Sequence, residues 1–175
     1  MVHSVKIGLV GPESTGKSTL SRELAAHFGG TCLPEYARQY VGTLQRSYRY
    51  EDVCLIAGQN RMEAQTAQGL TFFDTELIIT KVWLDEVYGK RPLWITEPVP
   101  ADCRMDYYLL TAPDLPGEPD PLRENLSQPA RERLYERYLS EIIATGVPYC
   151  IIKGAGRERF ACAERAVSTW LNGLR

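Results

Sequence analysis

Histidine is scarce in this chain of 175 residues, and cysteine occurs without a recognisable pattern. The two histidines are His3 and His27, and none of the five cysteines forms a CxxC pair with another. Zinc sites need closely spaced ligands and disulfide frameworks need paired cysteines, so neither is expected here. We expect free thiols in a reducing compartment.

Long apolar runs and a strong charge imbalance are also missing. No stretch approaches the roughly 18 apolar residues of a membrane span, and the N-terminal MVHSVKIGLVG lacks a signal-peptide core. The net charge of −2 gives no electrostatic footprint for nucleic acid or an anionic membrane. We expect a cytoplasmic protein that binds neither, and the sequence does not indicate its oligomeric state.

The composition is that of a globular protein, with 44% hydrophobic and 24% charged residues, and the length suits one domain over residues 1–175. Short apolar segments alternate with helical patterns along the chain. The predicted strands are Val5–Val10, Thr31–Pro34, Leu70–Asp74, Tyr107–Thr111 and Val147–Ile152. This alternation predicts an α/β fold with a five-stranded parallel sheet covered by helices on both faces.

Helical spacing is clearest in five segments, and a loop-like composition stands out in one. The predicted helices are Lys17–Phe28, Glu51–Gln68, Leu77–Val87, Ala130–Ala144 and Arg157–Leu171. In the fourth of these, Tyr135 and Tyr138 fall on the apolar face and are interpreted as core. Residues 113–127 are rich in proline, glycine and charge, which predicts a surface loop or lid.

The sequence GPESTGKS at Gly11 to Ser18 matches the spacing GxxxxGK[ST] between the first strand and the first helix. Glycines let the backbone aim N–H groups at phosphate oxygens, and the helix adds its positive end. Lys17 reaches the β- and γ-phosphates, and the Ser18 hydroxyl ligates Mg²⁺. We predict that ATP is held by Gly11, Glu13, Ser14, Thr15, Gly16, Lys17, Ser18 and Thr19.

Three further segments accompany this loop: EYARQYV from Glu35, FFDTE from Phe72, and PDLPGEPDPLRE from Pro113. Together with the loop, the set resembles the ribosylnicotinamide kinase domain of NadR-type proteins. The resemblance implies a P-loop NTPase fold of the nucleoside-kinase type, and ATP-dependent phosphorylation of the 5′-hydroxyl of nicotinamide riboside. Two positions differ from the family, since Pro34 and Gly117 stand where the family commonly has tryptophan.

The matching segments supply candidates for the chemistry. Asp74, at the end of a predicted strand, holds Mg²⁺ with Ser18 or accepts the proton of the attacking hydroxyl. Glu35 is a base or a ribose-binding acid, with Arg38 one helical turn later to pair with it or meet the substrate. Arg123 in the lid neutralises charge on the transferred phosphoryl group. The predicted catalytic residues are therefore Lys17, Asp74, Glu35 and Arg123.

Other possibilities remain open at this point. The acceptor is nicotinamide riboside, another nucleoside, or a nucleoside monophosphate bound by Arg38, Arg46, Arg49 or Arg104. A different class would be a nucleotide-dependent switch without a small-molecule product. Candidate aromatic residues for stacking on a flat base are Tyr36, Tyr40, Trp83 and Trp94. Gly154 and Gly156 either cradle adenine or form an ordinary turn.

Overall fold

A computed structural model describes residues 4–117 and 127–174 of the protein. Its centre is a parallel five-stranded sheet with the strand order β2-β3-β1-β4-β5. The strands are β1 (Val5–Val10), β2 (Thr31–Leu33), β3 (Leu70–Asp74), β4 (Tyr107–Thr111) and β5 (Tyr149–Ile152). The predicted fold class is confirmed, with β2 and β5 shorter than predicted.

Six α-helices connect and cover the strands. They are α1 (Lys17–Phe28), α2 (Tyr36–Thr43), α3 (Tyr50–Thr66), α4 (Leu77–Tyr88), α5 (Gln128–Thr145) and α6 (Gly156–Gly173), with a 3₁₀ turn at Ala101–Cys103. The bounds of α1 agree with the prediction because left-handed glycines stand at both ends, Gly16 and Gly29. Helix α2 was not predicted; Ala37 is its only buried residue, so it lacks a periodic apolar face.

Each strand contributes to two hydrophobic cores because successive side chains point to opposite faces of the sheet. In β3, Phe72 packs with α1 and α6, whereas Phe73 packs with α3, α4 and α5. Leu109 and Leu110 of β4 divide in the same way. The two cores explain the near-continuous apolar runs that predicted the strands.

Strand β1 lies in the middle of the sheet, with β3 on one side and β4 on the other. Leu9 is in register with Asp74 of β3, and Val10 with Leu110 of β4. Ligands of open α/β sheets bind at the carboxyl ends of the strands, where the strand order reverses. The Gly11–Ser18 loop and the residues after β3 and β4 therefore share the edge of the sheet where a ligand is expected.

Among residues 4–117 and 127–174, no helix has the length and apolar character needed to cross a membrane.

Candidate functional site

The loop after β1 makes a tight turn against the end of β4. A Cβ atom on Gly11 would lie 2.2 Å from Thr111 Oγ1 and 2.7 Å from the Thr111 carbonyl oxygen, so only glycine fits there. Gly16 has φ 78° and Ser14 has φ 56°, both left-handed. The first and second glycines of the motif are therefore required by the path of the backbone.

A buried hydroxyl pair fixes the middle of the loop. Thr15 Oγ1 lies 2.9 Å from the Pro12 carbonyl and 2.7 Å from Thr111 Oγ1, and Thr15 is 1% exposed. Thr111 Oγ1 also lies 3.2 Å from the carbonyl oxygen of Val10. Strand β4 thus holds the loop at a defined distance from the sheet.

Lys17 folds across the same loop. Its Nζ donates to the carbonyl oxygens of Gly11 (2.8 Å) and Pro12 (2.7 Å). Ser18 and Thr19 follow in the first turn of α1, where both are exposed. The ammonium group and the N-terminal turn of α1 therefore face the cleft described below, an arrangement suited to an anion.

Two buried arginines that the sequence analysis did not identify hold the loop and its surroundings. Arg131 of α5, 1% exposed, donates to the carbonyl oxygens of Glu13 (3.1 Å), Ser14 (3.2 Å) and Leu115 (2.7 Å). No local pattern identifies it, because its backbone carbonyl partners lie 16 residues away at Leu115 and 117 and 118 residues away in the loop.

Arg159 of α6, 4% exposed, is the second buried arginine. It forms an ion pair with Asp114 and donates to the carbonyl oxygen of Gly154 at 2.8 Å. Asp114 in turn accepts from the Gly154 N–H at 2.8 Å. These bonds join the segment after β4 to the segment after β5. Gly156 lines the cleft described next, whereas Gly154 serves this link.

A cleft of about 650 Å³ passes over the loop and continues to both sides of it. On the side of α6 it is lined by Gly156, Arg159 and Phe160. On the opposite side of the sheet lies the α4 compartment, whose apolar and aromatic wall is made by Tyr48, Ile79, Val82, Trp83, Val87, Leu134 and Tyr138. The cleft therefore has room for a ligand on each side of the loop.

An aromatic pair dominates the α4 compartment. The rings of Tyr48 and Trp83 meet edge to face, with centroids 4.8 Å apart, and Trp83 Nε1 donates to Tyr48 Oη at 3.3 Å. Of the four aromatic candidates from the sequence, Trp83 lines the cleft, whereas Tyr36, Tyr40 and Trp94 do not. Tyr138 is 6% exposed, as expected of core, yet it also lines the cleft, so the interpretation as core alone was incomplete.

Glu35 is the N-cap residue of α2 and lines the cleft near Lys17. Burial raises the pKa of its carboxyl group above 4.5, and the negative charges of Asp74 and Glu13 raise it further. The positive charges of Lys17 and Arg38 oppose this rise. The structure thus brings together Glu35, Lys17 and Asp74, three residues that the sequence analysis selected.

Asp74 ends β3 and lies behind the cleft wall, 3% exposed. Its buried Oδ1 has no hydrogen-bond partner among the described residues. Thr75, which follows it and lines the cleft, has φ 84°, a strained value for a β-branched residue. A buried carboxylate oxygen without a hydrogen-bond partner, beside a strained turn, is suited to bind a hard cation directly or through a water molecule.

The described part of the chain holds no group of three or more His, Cys, Asp or Glu side chains that could bind a metal. A cation here would take few protein ligands, Ser18 and Asp74 among them. Mg²⁺ fits such a set, since it usually keeps several waters and binds substrate phosphates.

A further buried carboxyl group, Glu76, escaped the sequence analysis. It is 1% exposed and caps α4 by accepting from the Ile78 N–H at 3.0 Å. Burial raises its pKa to about 8, and the charge of Glu141 contributes to the rise. Glu76 packs against the central strand, since a Cβ on Gly8 of β1 would lie 3.3 Å from its Cγ.

The remaining basic candidates differ in their surroundings. Arg38 lines the cleft. Arg46 is bound by both oxygens of Asp52, at 2.6 and 2.9 Å, and Arg104 Nε donates to the Val99 carbonyl. Neither of these, nor Arg49, lines the cleft. The predicted lid residue Arg123 lies outside the described residues.

A glycine-rich loop after the central strand of a parallel sheet, followed directly by a helix, is the arrangement of the P-loop NTPase fold. A deoxyadenosine kinase from M. mycoides, solved with dCMP and dCDP, shares this fold at a TM-score of 0.62 and 12% identity, covering 98% of this chain and 100% of that one. The family model described as "AAA domain" matches residues 6–159. The chain belongs to this family.

Two comparisons concern NadR. The trifunctional NAD biosynthesis/regulator protein NadR of Salmonella typhimurium is 26% identical over 145 residues, which are 78% of this chain and 35% of that protein. A crystal structure of NadR protein in complex with NR superposes with a TM-score of 0.69 at 21% identity, covering 95% of this chain and 50% of that one. The resemblance to NadR-type proteins is confirmed, and this chain spans about a third of the length of the Salmonella protein.

Proposed function

We propose that the chain is an ATP-dependent kinase that phosphorylates nicotinamide riboside to nicotinamide mononucleotide. One observation carries the proposal. The cleft does not end at the loop but continues into the α4 compartment, and Glu35, whose carboxyl group is influenced by the charge of Lys17, lines it. A protein that only binds or hydrolyses a nucleotide has no need of a second, aromatic compartment beside the terminal phosphate.

The donor half is formed by Gly11 to Thr19. Backbone N–H groups of the loop and of the first turn of α1 bind the phosphates, and Lys17 exchanges its loop carbonyls for the β- and γ-phosphate oxygens. The nucleoside part of ATP lies on the side of α6, where Gly156 and Phe160 line the cleft. Ser18 and Asp74 would hold Mg²⁺, which supplies charge neutralisation on the phosphate oxygens.

The acceptor half is the α4 compartment. Trp83 lines this compartment together with Tyr48, and its indole ring offers an aromatic face on which the base can stack. Glu35 orients the acceptor hydroxyl and takes its proton, for which a raised pKa is an advantage. Because phosphoryl transfer asks for little covalent work by the protein, holding donor and acceptor in line is the main task of these residues.

The charges of the cleft support a nucleoside over a nucleoside monophosphate as acceptor. Four glutamates line it, Glu13, Glu23, Glu35 and Glu86, whereas Arg38 is the one lining residue of the four arginines considered for a phosphate. Nicotinamide riboside carries a positive charge on its ring, which suits such a lining. The similarity to NadR, solved in complex with NR, supports the same choice.

ADP release from ATP, measured with a panel of nucleosides, tests the proposal. We expect nicotinamide riboside to raise the rate well above the basal rate, and nucleoside monophosphates to have little effect. If no nucleoside raises the rate of ADP release, the kinase proposal is wrong. A rate raised by a different nucleoside would keep the kinase and replace the acceptor.

A further inference from the structure

Arg131 is a buried cation for which the described residues provide no anionic partner. All of its hydrogen bonds end on neutral oxygens: the carbonyls of Glu13, Ser14 and Leu115 and the side-chain Oε1 of Gln128, the last at 3.2 Å. No carboxylate among residues 4–117 and 127–174 forms an ion pair with it. Removing an unpaired charge from water is costly, so the packing of α5 alone does not account for an arginine at this place.

The position of its partners in the loop is informative. The carbonyl of Glu13 belongs to the same peptide plane as the Ser14 N–H, and the carbonyl of Ser14 to the plane of the Thr15 N–H. In a trans peptide, C=O and N–H point in opposite directions. A guanidinium that binds both carbonyls from the side of α5 therefore turns both N–H groups away from α5 and toward the inner side of the loop.

Two features explain why an arginine holds the loop carbonyls at this place. Ser14 has a left-handed φ of 56°, which a non-glycine residue adopts only when its surroundings hold it there. A guanidinium also presents its donors in a rigid fork, so one side chain fixes two successive planes at once. The charge polarises both peptide units and strengthens the N–H groups as donors.

We propose that Arg131 is a positioning residue for phosphate binding, which aims the N–H groups of Ser14 and Thr15 by holding the carbonyls of Glu13 and Ser14. The inference rests on the proposed nucleotide site but is independent of the acceptor. Arg131 acts through the loop backbone and touches no substrate. An anion bound at the loop also provides the negative charge that no described residue supplies to Arg131.

Binding of ADP and of adenosine to Arg131→Lys and Arg131→Met, measured by calorimetry, tests the inference. We expect Arg131→Met to bind ADP about 10- to 100-fold more weakly and adenosine as the unchanged chain does, with Arg131→Lys between. The matched controls are Arg165→Lys and Arg165→Met, because Arg165 is exposed on α6 and its Nε bonds the Ala161 carbonyl of its own helix. Circular dichroism verifies the fold, and Arg131→Lys carries the comparison if Arg131→Met does not fold.

Two outcomes overturn the inference. Unchanged ADP affinity in both Arg131 variants would show that the loop positions its N–H groups without this side chain. An equal loss for ADP and adenosine would show that Arg131 supports the fold in general. If the unchanged chain binds no ADP at all, the proposed nucleotide site itself fails, and the inference fails with it.

Discussion

The loop and the α4 compartment are the two halves of one cleft, and they are built in opposite ways. The loop is a run of consecutive residues, Gly11 to Ser18, whose backbone is proposed to bind phosphate and whose shape is fixed by glycines and a buried hydroxyl pair. The α4 compartment is made of side chains from distant parts of the chain, from Tyr48 to Tyr138. In the proposed reaction, the first half binds the phosphates of ATP and the second half selects the acceptor.

This difference predicts different consequences of mutation. A backbone site has one working shape, so a change that moves it removes binding altogether. When one side chain of the α4 compartment is replaced, the other wall residues stay in place. A substitution there therefore changes the affinity for the ligand of that compartment alone. Four substitutions test this difference, with effects on activity that we expect to decrease from Gly11→Ala to Glu76→Gln.

Gly11→Ala should reduce kinase activity on the order of 100-fold or more, because the new Cβ would lie 2.2 Å from Thr111 Oγ1 and displace the loop donors. Steady-state kinetics and ADP binding measure the effect. Gly58→Ala is the matched control, since nothing lies within 4 Å of its added Cβ and it sits within α3. Near-normal activity of Gly11→Ala would mean that the loop is not the phosphate site.

Glu35→Gln should lower kcat by about 100-fold while ATP binding persists, because Gln cannot accept the proton. In the unchanged chain kcat should fall as the pH falls through the raised pKa of Glu35, above 4.5, since the protonated form is inactive. This acidic limb should be absent in the variant. Exposed Glu51→Gln serves as control. An unaltered pH profile in Glu35→Gln would show that Glu35 is not the base and would leave Asp74 as the candidate.

Trp83→Ala should raise KM for the acceptor about 10-fold and leave KM for ATP nearly unchanged, because it removes stacking on one side of the loop only. Trp94→Ala is the control: its ring packs under Arg61, 5.2 Å from the guanidinium carbon, and does not line the cleft. Equal rises in both KM values for Trp83→Ala would contradict the division of the cleft into two halves.

Glu76→Gln should leave activity near neutral pH almost unchanged and alter stability at higher pH. The folded pKa of about 8 exceeds the unfolded value near 4.5, so Glu76 opposes folding increasingly as the pH rises from 4.5 through 8. Glutamine removes this effect, so the stability of the variant relative to the unchanged chain should rise by about 4 kcal/mol between pH 5 and 9. Chemical denaturation at several pH values measures it, and a constant difference across that range would contradict the assignment.

The sequence predicted the features that depend on neighbours along the chain. The strands, the loop and the bounds of α1 follow from apolar runs and from glycines at fixed positions. Helix α2 was missed because one buried residue, Ala37, gives no period. Arg131 and Glu76 were missed for a different reason, since a buried charge is recognisable only from partners that the fold brings to it.

The candidate site was also predictable only in part: its motif residues were found, and most of its side-chain wall was not. Glu35 and Asp74 were selected from motifs, and the fold brings both to Lys17. Of the wall of the α4 compartment, the sequence indicated Trp83, which lines the cleft. Tyr48 was missed because it meets Trp83 across 35 residues of sequence, and Tyr138 because it has the spacing of an ordinary core residue. Their roles in binding remain predictions that the variants above test.

The most direct test of the central claim follows the γ-phosphate itself. The chain is incubated with ATP labelled at the γ-phosphate and with nicotinamide riboside, and the products are separated by chromatography. The account predicts that the label appears in nicotinamide mononucleotide, and that Lys17→Ala abolishes this transfer while Lys90→Ala, an exposed lysine over Tyr50, does not. Label released only as inorganic phosphate, whether or not an acceptor is present, would show that the two halves of the cleft do not serve one reaction.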